Sequence, residues 1–360
     1  MTGVDRSRAS GTTKVVAVQF APRKGDVERN LLHLDDLVRA AVRDHAPTVV
    51  VLPEIVTSPH STSSRQSGSS ARPIDGSPLQ LFRHLSRHTG VVVAGGFHAH
   101  RGRHAYITYV LAEPDGRVHL RNKSVLGGWD SHLAKRGRPI ERVSSSTLSG
   151  ASVGVIAGWE WIRGGTARAL RGNVDIALGG MCWPAIGPIT LGRRAKQRDV
   201  HLRQAELLRA VPADMARVLG VPTVMASLTE ANPVRSIAST PDYAGLIAET
   251  QIVDATGTVL ARMGPEDGEG YVSAEVKFGR PLPCAPVPSG SWICDLDERV
   301  EASNLLRRAA GALHYRARHV AGAHPWQEWP SADLANSLAC GDPGEQQVAT
   351  TGPAFSRPTA

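Results

Sequence analysis

Short runs of aliphatic and β-branched residues, each stopping abruptly at a polar or very small residue, recur along this chain and alternate with stretches of helical period. They are Val15 to Phe20 (VVAVQF), Thr48 to Leu52 (TVVVL), Val91 to Phe97 (VVVAGGF), Ser152 to Ile156, Val174 to Leu178 and Pro222 to Ala226. Runs so short and so uniformly apolar suit strands covered on both faces, because a half-exposed strand would alternate. Between them, Asp26 to Arg43 places Leu31, Leu34, Leu37, Val38, Ala41 and Val42 at helical spacing. Leu79 to His88, Arg163 to Leu170 and Leu202 to Leu219 predict further helices, the last kinked at Pro212 and stopped by Gly220. Two hairpins are expected. One pairs Ala105 to Leu111 with Val118 to Arg121 across Pro114-Asp115-Gly116, the other Thr250 to Val253 with Val259 to Met263, and Tyr271 to Val276 closes the domain. Crossover helices mixed with hairpins predict a layered α/β domain whose helices cover the outer faces of large sheets.

Composition fits a chain able to bury a sizeable core: 360 residues, 41% of them hydrophobic, which excludes a mainly disordered or fibrous protein. Four cysteines (Cys182, Cys284, Cys294, Cys340), scattered and without a CxxC pair, argue against a disulfide framework or a zinc site, so a reducing, cytoplasmic setting is expected. No apolar run reaches the length of a membrane span. Lys and Arg outnumber Asp and Glu by 41 to 33, a formal charge of +8. The basic residues are dispersed, and the densest group, Arg193, Arg194, Lys196 and Arg198 followed by Arg203, has acidic Asp199 and Glu206 interspersed and no aromatic interleaving. A solvated helix face is expected there, not a specific nucleic-acid site. His60, His98 and His100 lack metal-ligand spacing, and GxGxxG and GxxxxGK[ST] are absent, so neither a metal nor a nucleotide cofactor is expected.

The chain divides into a disordered tail (1–14), a main domain (15–279), a Pro-rich linker with a basic amphipathic helix (280–340) and a low-complexity tail (341–360). The helix, expected over Asp297 to Arg318, has Val300, Leu305, Leu306, Ala309 and Leu313 at helical spacing beside many arginines. It reads either as a packing appendage or as a partner-binding element, for example across a dimer.

Chemistry is expected where strands end, because loops there can be shaped around a fixed sheet. Glu54 follows TVVVL and Pro53, where partial burial would raise its pKa toward that of a base. Lys123 ends the first hairpin, where an ammonium suits a developing oxyanion. The third place is SVGVIAGWE, 152–160, a buried strand that breaks at Gly158 into an elbow suited to presenting a nucleophile.

As an ordered set these segments resemble the carbon-nitrogen hydrolase (nitrilase) superfamily. VVAVQFAPRKGDVERNL resembles its first strand and helix, LPEIV its glutamate motif, PDGRVHLRNKSVL its lysine motif and SVGVIAGWE its cysteine motif; QIVDATGTVLARMG and GYVSAEV are similar to its closing hairpins. The resemblance implies an α-β-β-α sandwich that dimerises through helices, and hydrolysis or acyl transfer on a small non-peptide amide or nitrile without a cofactor. It implies Glu54 as base and Lys123 as oxyanion partner. The family's cysteine position, however, is Gly158, followed by Trp159 and Glu160. A second family glutamate has only Asp130 nearby to match it, with Glu141 further on.

Two readings follow. In one, the nucleophile has moved to Cys182, which follows the next strand and emerges at the same end of the sheet, with Lys123 lowering the thiol pKa. In the other, the domain is an inactive relative whose pocket, lined by Glu54, Lys123, Trp159, Glu160 and Trp183, binds a ligand or a protein without covalent chemistry.

Overall fold

The computed structural model describes residues 9–58, 70–128, 130–184, 194–230, 246–296 and 298–323. Two sheets form the middle of the molecule. The first contains β1 (Gly11–Gln19), β2 (Val49–Val51), β3 (Arg72–Pro73), β4 (Val92–Arg101), β5 (His104–Ala112), β6 (Val118–Asn122) and β13 (Gly270–Phe278), in the order β13-β1-β2-β4-β5-β6, with β3 beside β4. The second contains β7 (Arg142–Ser145), β8 (Ala151–Ala157), β9 (Ile176–Met181), β10 (Thr223–Ser227), β11 (Thr250–Val253) and β12 (Val259–Met263), ordered β12-β11-β10-β9-β8-β7.

The uniform apolarity of the runs is explained by what lies on each face. Alternate residues of both sheets (Val15, Val49, Val51 and Val92 from one; Val153, Val155, Ile176, Leu178 and Val224 from the other) make one shared core. The intervening residues face helices. Ile156, Ala177 and Met225 pack on Ala167 and Leu170 of α3 (Gly164–Leu170) and on Leu208, Val211 and Met215 of α4 (Arg194–Leu219). α1 (Val27–His45) and α2 (Ser77–Thr89) pack against each other, bury Leu31, Leu34, Val38, Phe82 and Leu85, and cover the first sheet. The layers are therefore α-β-β-α. Both helices stop at left-handed residues, Ala46 and Gly90, whose N–H groups return to carbonyls of the last turn.

β1 begins at Gly11, inside the stretch expected to be a tail. The reason is its partner: β13 pairs with it antiparallel from Gly11 opposite Phe278 to Gln19 opposite Gly270. β7 has no counterpart in the sequence reading, because RVSS is a polar edge strand with no apolar run. The expected loop over 57–70, His60, Cys340, the side chains of the basic cluster at 193–199 and the tail 341–360 lie wholly or mostly outside the described residues. A fifth helix, α5 (Glu298–Val320), follows the Pro-rich segment. No described helix is long and apolar enough to cross a membrane.

Sheet direction decides where the chemistry meets. β1, β2 and β4 are parallel, and so are β8, β9 and β10. β6 is antiparallel to β5, which is antiparallel to β4, so β6 runs with β2 and β4. The ends of β2, β6, β8 and β9, leading to Glu54, Lys123, Gly158 and Cys182, consequently open at one edge of the sandwich.

Candidate active site

Glu54 is wedged between the two sheets by glycines. A β-carbon on Gly96 would overlap the Glu54 carbonyl, and one on Gly180 would overlap its amide nitrogen, so both positions must lack side chains for the strand end to cross there. The carboxylate that this crossing delivers is fully buried. Its Oε1 accepts a hydrogen bond from Lys123 Nζ at 2.6 Å, and its Oε2 accepts one from the backbone N–H of Cys182 at 3.2 Å. Burial pushes the Glu54 pKa up to about 7, with Lys123 pulling it back and Asp130 adding to the rise. An acid that titrates near neutrality is suited to take and return protons.

Lys123 has a second partner, Asp130 Oδ2, at 2.7 Å, and that same oxygen accepts the Gly127 N–H at 2.6 Å. All three charged groups are buried. Burial alone would pull the Lys123 pKa down, but Asp130 and Glu54 outweigh it and raise it, so the amine stays an ammonium. Asp130, the only acid near enough in sequence to match the family's second glutamate, thus shares Lys123 with Glu54.

The elbow is present without its side chain. Gly158 has φ +51°, the left-handed region that L side chains resist. A β-carbon there would overlap Glu54 Oε2 and stand 2.5 Å from Lys123 Nζ and 2.6 Å from Glu54 Oε1. The carboxylate and ammonium have closed over the place a thiol would need. Gly158→Ala is therefore expected to lower stability by about 1–3 kcal/mol, from left-handed strain plus a disturbed ion pair. Urea unfolding measures this, and a neutral result would show that the seat is open.

Glu160, expected like Glu54 to line the pocket, is absent with it from the residues that line the cavity described below. Its carboxylate is not on a cavity wall; it is a clamp. Oε1 accepts from Arg121 Nη2 at 2.5 Å, from the Ser124 N–H at 2.7 Å and from Ser124 Oγ at 2.6 Å, while Oε2 accepts from Arg121 Nη1 at 2.7 Å and from the Ala157 N–H at 3.0 Å. Burial tends to raise its pKa, but Arg121 and Ser124 hold it below the usual carboxylate range. The clamp ties the elbow after β8 to the segment after β6, which fixes Gly158 relative to Lys123. Sequence reading missed Arg121 because its partner lies 39 positions away.

A cavity of about 50 Å³ opens beside this cluster. Lys123, Asp130 and Cys182 supply its polar floor, and Trp159, Met181, Trp183 and Pro184 its apolar wall. Trp159 and Trp183 are 4.7 Å apart between ring centroids, with Trp292 behind Trp159 at 5.5 Å. Cys182 is buried and lines this space with Lys123. Gly158, Glu54 and Glu160 are not on its lining; Glu54 reaches it through its bonds to Lys123 and Cys182.

The remaining wall is α5, which the sequence does not tie to the site. Val300, Ser303, Asn304 and Arg307 line the cavity. Asn304 Oδ1 accepts the Gly128 N–H at 2.6 Å, and Gly128 has no room for a β-carbon because Arg307 Cβ would lie 2.6 Å from it. Gly127 likewise leaves space for the Trp159 ring. The readable signal was the stripe Val300, Asn304, Arg307, Gly311 at helical spacing, matched by the adjacent glycines at 127 and 128. His98 shares a 3.3 Å contact with Ser70 Oγ, and among the described residues no group of three or more His, Cys, Asp or Glu side chains could hold a metal ion.

Solved structures share this fold at low identity. The carbon-nitrogen hydrolase superfamily protein XC1258 of Xanthomonas campestris, solved with an arsenic adduct in its active site, has a TM-score of 0.58 at 15% identity, covering 74% of this chain and 90% of its own. Nit3 of Saccharomyces cerevisiae, from branch 10 of the nitrilase superfamily, has a TM-score of 0.56 at 17% identity, covering 82% and 94%. An amidase from Nesterenkonia sp. AN1, solved after Michael addition of acrylamide at its active-site cysteine, has a TM-score of 0.54 at 14% identity, covering 72% and 92%. No curated protein matches the chain. The family description "Carbon-nitrogen hydrolase" matches residues 14–280. The chain belongs to the carbon-nitrogen hydrolase family.

Proposed function

We propose that this protein hydrolyses, or transfers the acyl group of, a small non-peptide amide or nitrile, with Cys182 as a relocated nucleophile, Glu54 as base and Lys123 as the oxyanion partner. The observation that carries this reading is that Cys182 and Lys123 line one cavity while the Cys182 backbone N–H is bonded to Glu54. For an amide, Glu54 takes the Cys182 thiol proton and the sulfur bonds to the carbonyl carbon. The oxygen gains the negative charge beside the Lys123 ammonium. As the tetrahedral species collapses, the C–N bond breaks and the leaving amine takes the proton from Glu54. Water, deprotonated by Glu54, then attacks the thioester and releases the acid and the thiol. Asp130 holds Lys123 in place, and the tryptophan-lined wall favours a compact, uncharged group. The Nesterenkonia amidase, whose active-site cysteine adds acrylamide, supports a small-amide class by likeness of fold.

The test is ammonia release from a panel of small amides and nitriles as a function of pH. The base must be ionised to act, so kcat/KM is expected to fall as pH drops through about 7, the pKa of buried Glu54. A rate flat from well below to well above this value would remove Glu54 from the base role.

One observation favours a second reading. The ion cluster fills the place of the family's thiol at Gly158, which suits a protein that binds an amide-like ligand without turning it over. Under that reading, ligands bind the cavity, no ammonia appears, and Cys182→Ala leaves affinity unchanged.

A further inference from the structure

The α5 wall of the cavity carries polar groups that the reaction above does not use. Asn304, 8% exposed, lines the cavity with Val300, Ser303 and Arg307. Its Oδ1 accepts the Gly128 N–H at 2.6 Å, which fixes how the amide is turned, because the reverse orientation would set two donors against each other. Nδ2 is the end left for the cavity, and among the described residues it donates no hydrogen bond. Arg307 Nε donates to Ser303 Oγ at 3.3 Å, one turn back along the same wall. The other charged groups of the lining, Lys123 and Asp130, are bonded to each other.

Resting on the reaction proposed for this cavity, we propose that Asn304 Nδ2 binds a second oxygen of the substrate, a carboxylate or carboxamide oxygen joined by a short apolar linker to the amide or nitrile that Cys182 attacks. A buried donor gains from an acceptor and loses when a methyl group takes its place, so it selects between substrates of equal length. Arg307 on the same wall makes a carboxylate the tighter of the two. The linker lies against Met181 and Val300, and the reacting group sits at Cys182 and Lys123. Oδ1 of the same side chain holds Gly128, two residues before the Asp130 that holds Lys123, so Asn304 sets the far end of the substrate relative to the oxyanion site. Asn304 lies beyond the family match at 14–280, so this contact comes from the last described helix and not from the shared fold.

Calorimetric titration of the full chain carrying Cys182→Ala, which cannot form a thioester, compares three four-carbon probes: butanamide, succinamide and succinamate. The two probes with a second oxygen are expected to bind at least about 10-fold more tightly than butanamide, the worth of one well-made hydrogen bond. A tighter succinamate identifies a carboxylate as the preferred group, and a tighter succinamide a carboxamide. Asn304→Asp keeps an oxygen for Gly128 but puts a second oxygen where Nδ2 stood, so it is expected to abolish the preference. Asn304→Ala, which buries no charge, is expected to abolish it too. A preference that survives in either variant would overturn the proposal, as would equal affinity for the three probes, or no binding of any, with Asn304 in place. Ammonia release by the wild type from the same probes keeps the two ideas apart. Selective binding without ammonia sinks the reaction and leaves the Asn304 contact standing, whereas ammonia from all three at equal kcat/KM, with equal affinities, does the reverse.

Discussion

Lys123→Met is expected to destabilise the fold by about 3–5 kcal/mol at neutral pH, the usual cost of stripping one partner from a buried ion cluster. The ammonium bonds Glu54 and Asp130 at once, and all three groups are buried. Without it, two carboxylates face each other away from water. Their only relief is protonation, so the deficit should shrink as pH falls, when the variant's carboxyls become neutral, and widen as it rises. Urea unfolding of wild type and variant across pH reads both quantities. A deficit below about 1 kcal/mol would mean that Lys123 is hydrated and the cluster is not closed, since exposed pairs contribute no more than that.

Cys182→Ala is expected to lower kcat for the best small amide or nitrile by on the order of 10³-fold or more, because the covalent route disappears with the sulfur. The fold should tolerate the change, since the bond to Glu54 comes from the Cys182 backbone N–H and not from its side chain. Single-turnover assays with enzyme in excess, followed by mass spectrometry for a thioester on Cys182, check the route directly. Undiminished turnover in the variant would put the nucleophile elsewhere, for example on a water activated by Glu54.

The fold was legible because its strands are buried on both faces. VVAVQF, TVVVL and VVVAGGF carry that fact in their composition, and their parallel order at one edge follows from the crossover helices between them. The acid and the amine were legible too, because both follow strand ends directly. Other parts depend on contacts distant in sequence. The Glu160 clamp needs Arg121, whose positive charge looks like any surface arginine until the ends of β6 and β8, from different sheets, are brought together. Gly96 lies inside the run VVVAGGF and Gly180 just past the run ending at Leu178, and nothing local shows that each makes room for the backbone of Glu54. α5 showed its amphipathic period but not which loop it would cover; Asn304 meets Gly128 across 176 positions. β7 escaped notice because a polar edge strand carries no periodic apolar signal.

The proposed reaction needs the Cys182 thiol and the Lys123 ammonium at one cavity, with the Glu54 carboxylate bonded behind them. Its most direct measurement is the rate of iodoacetamide modification at each cysteine, read by peptide mass spectrometry in wild type and in Glu54→Gln, with exposed Cys284 as an internal reference. Buried Cys182 is expected to react faster than Cys284 near neutral pH and to slow in Glu54→Gln, while Cys284 is unchanged. Sluggish modification of Cys182, equal in both proteins, would contradict it.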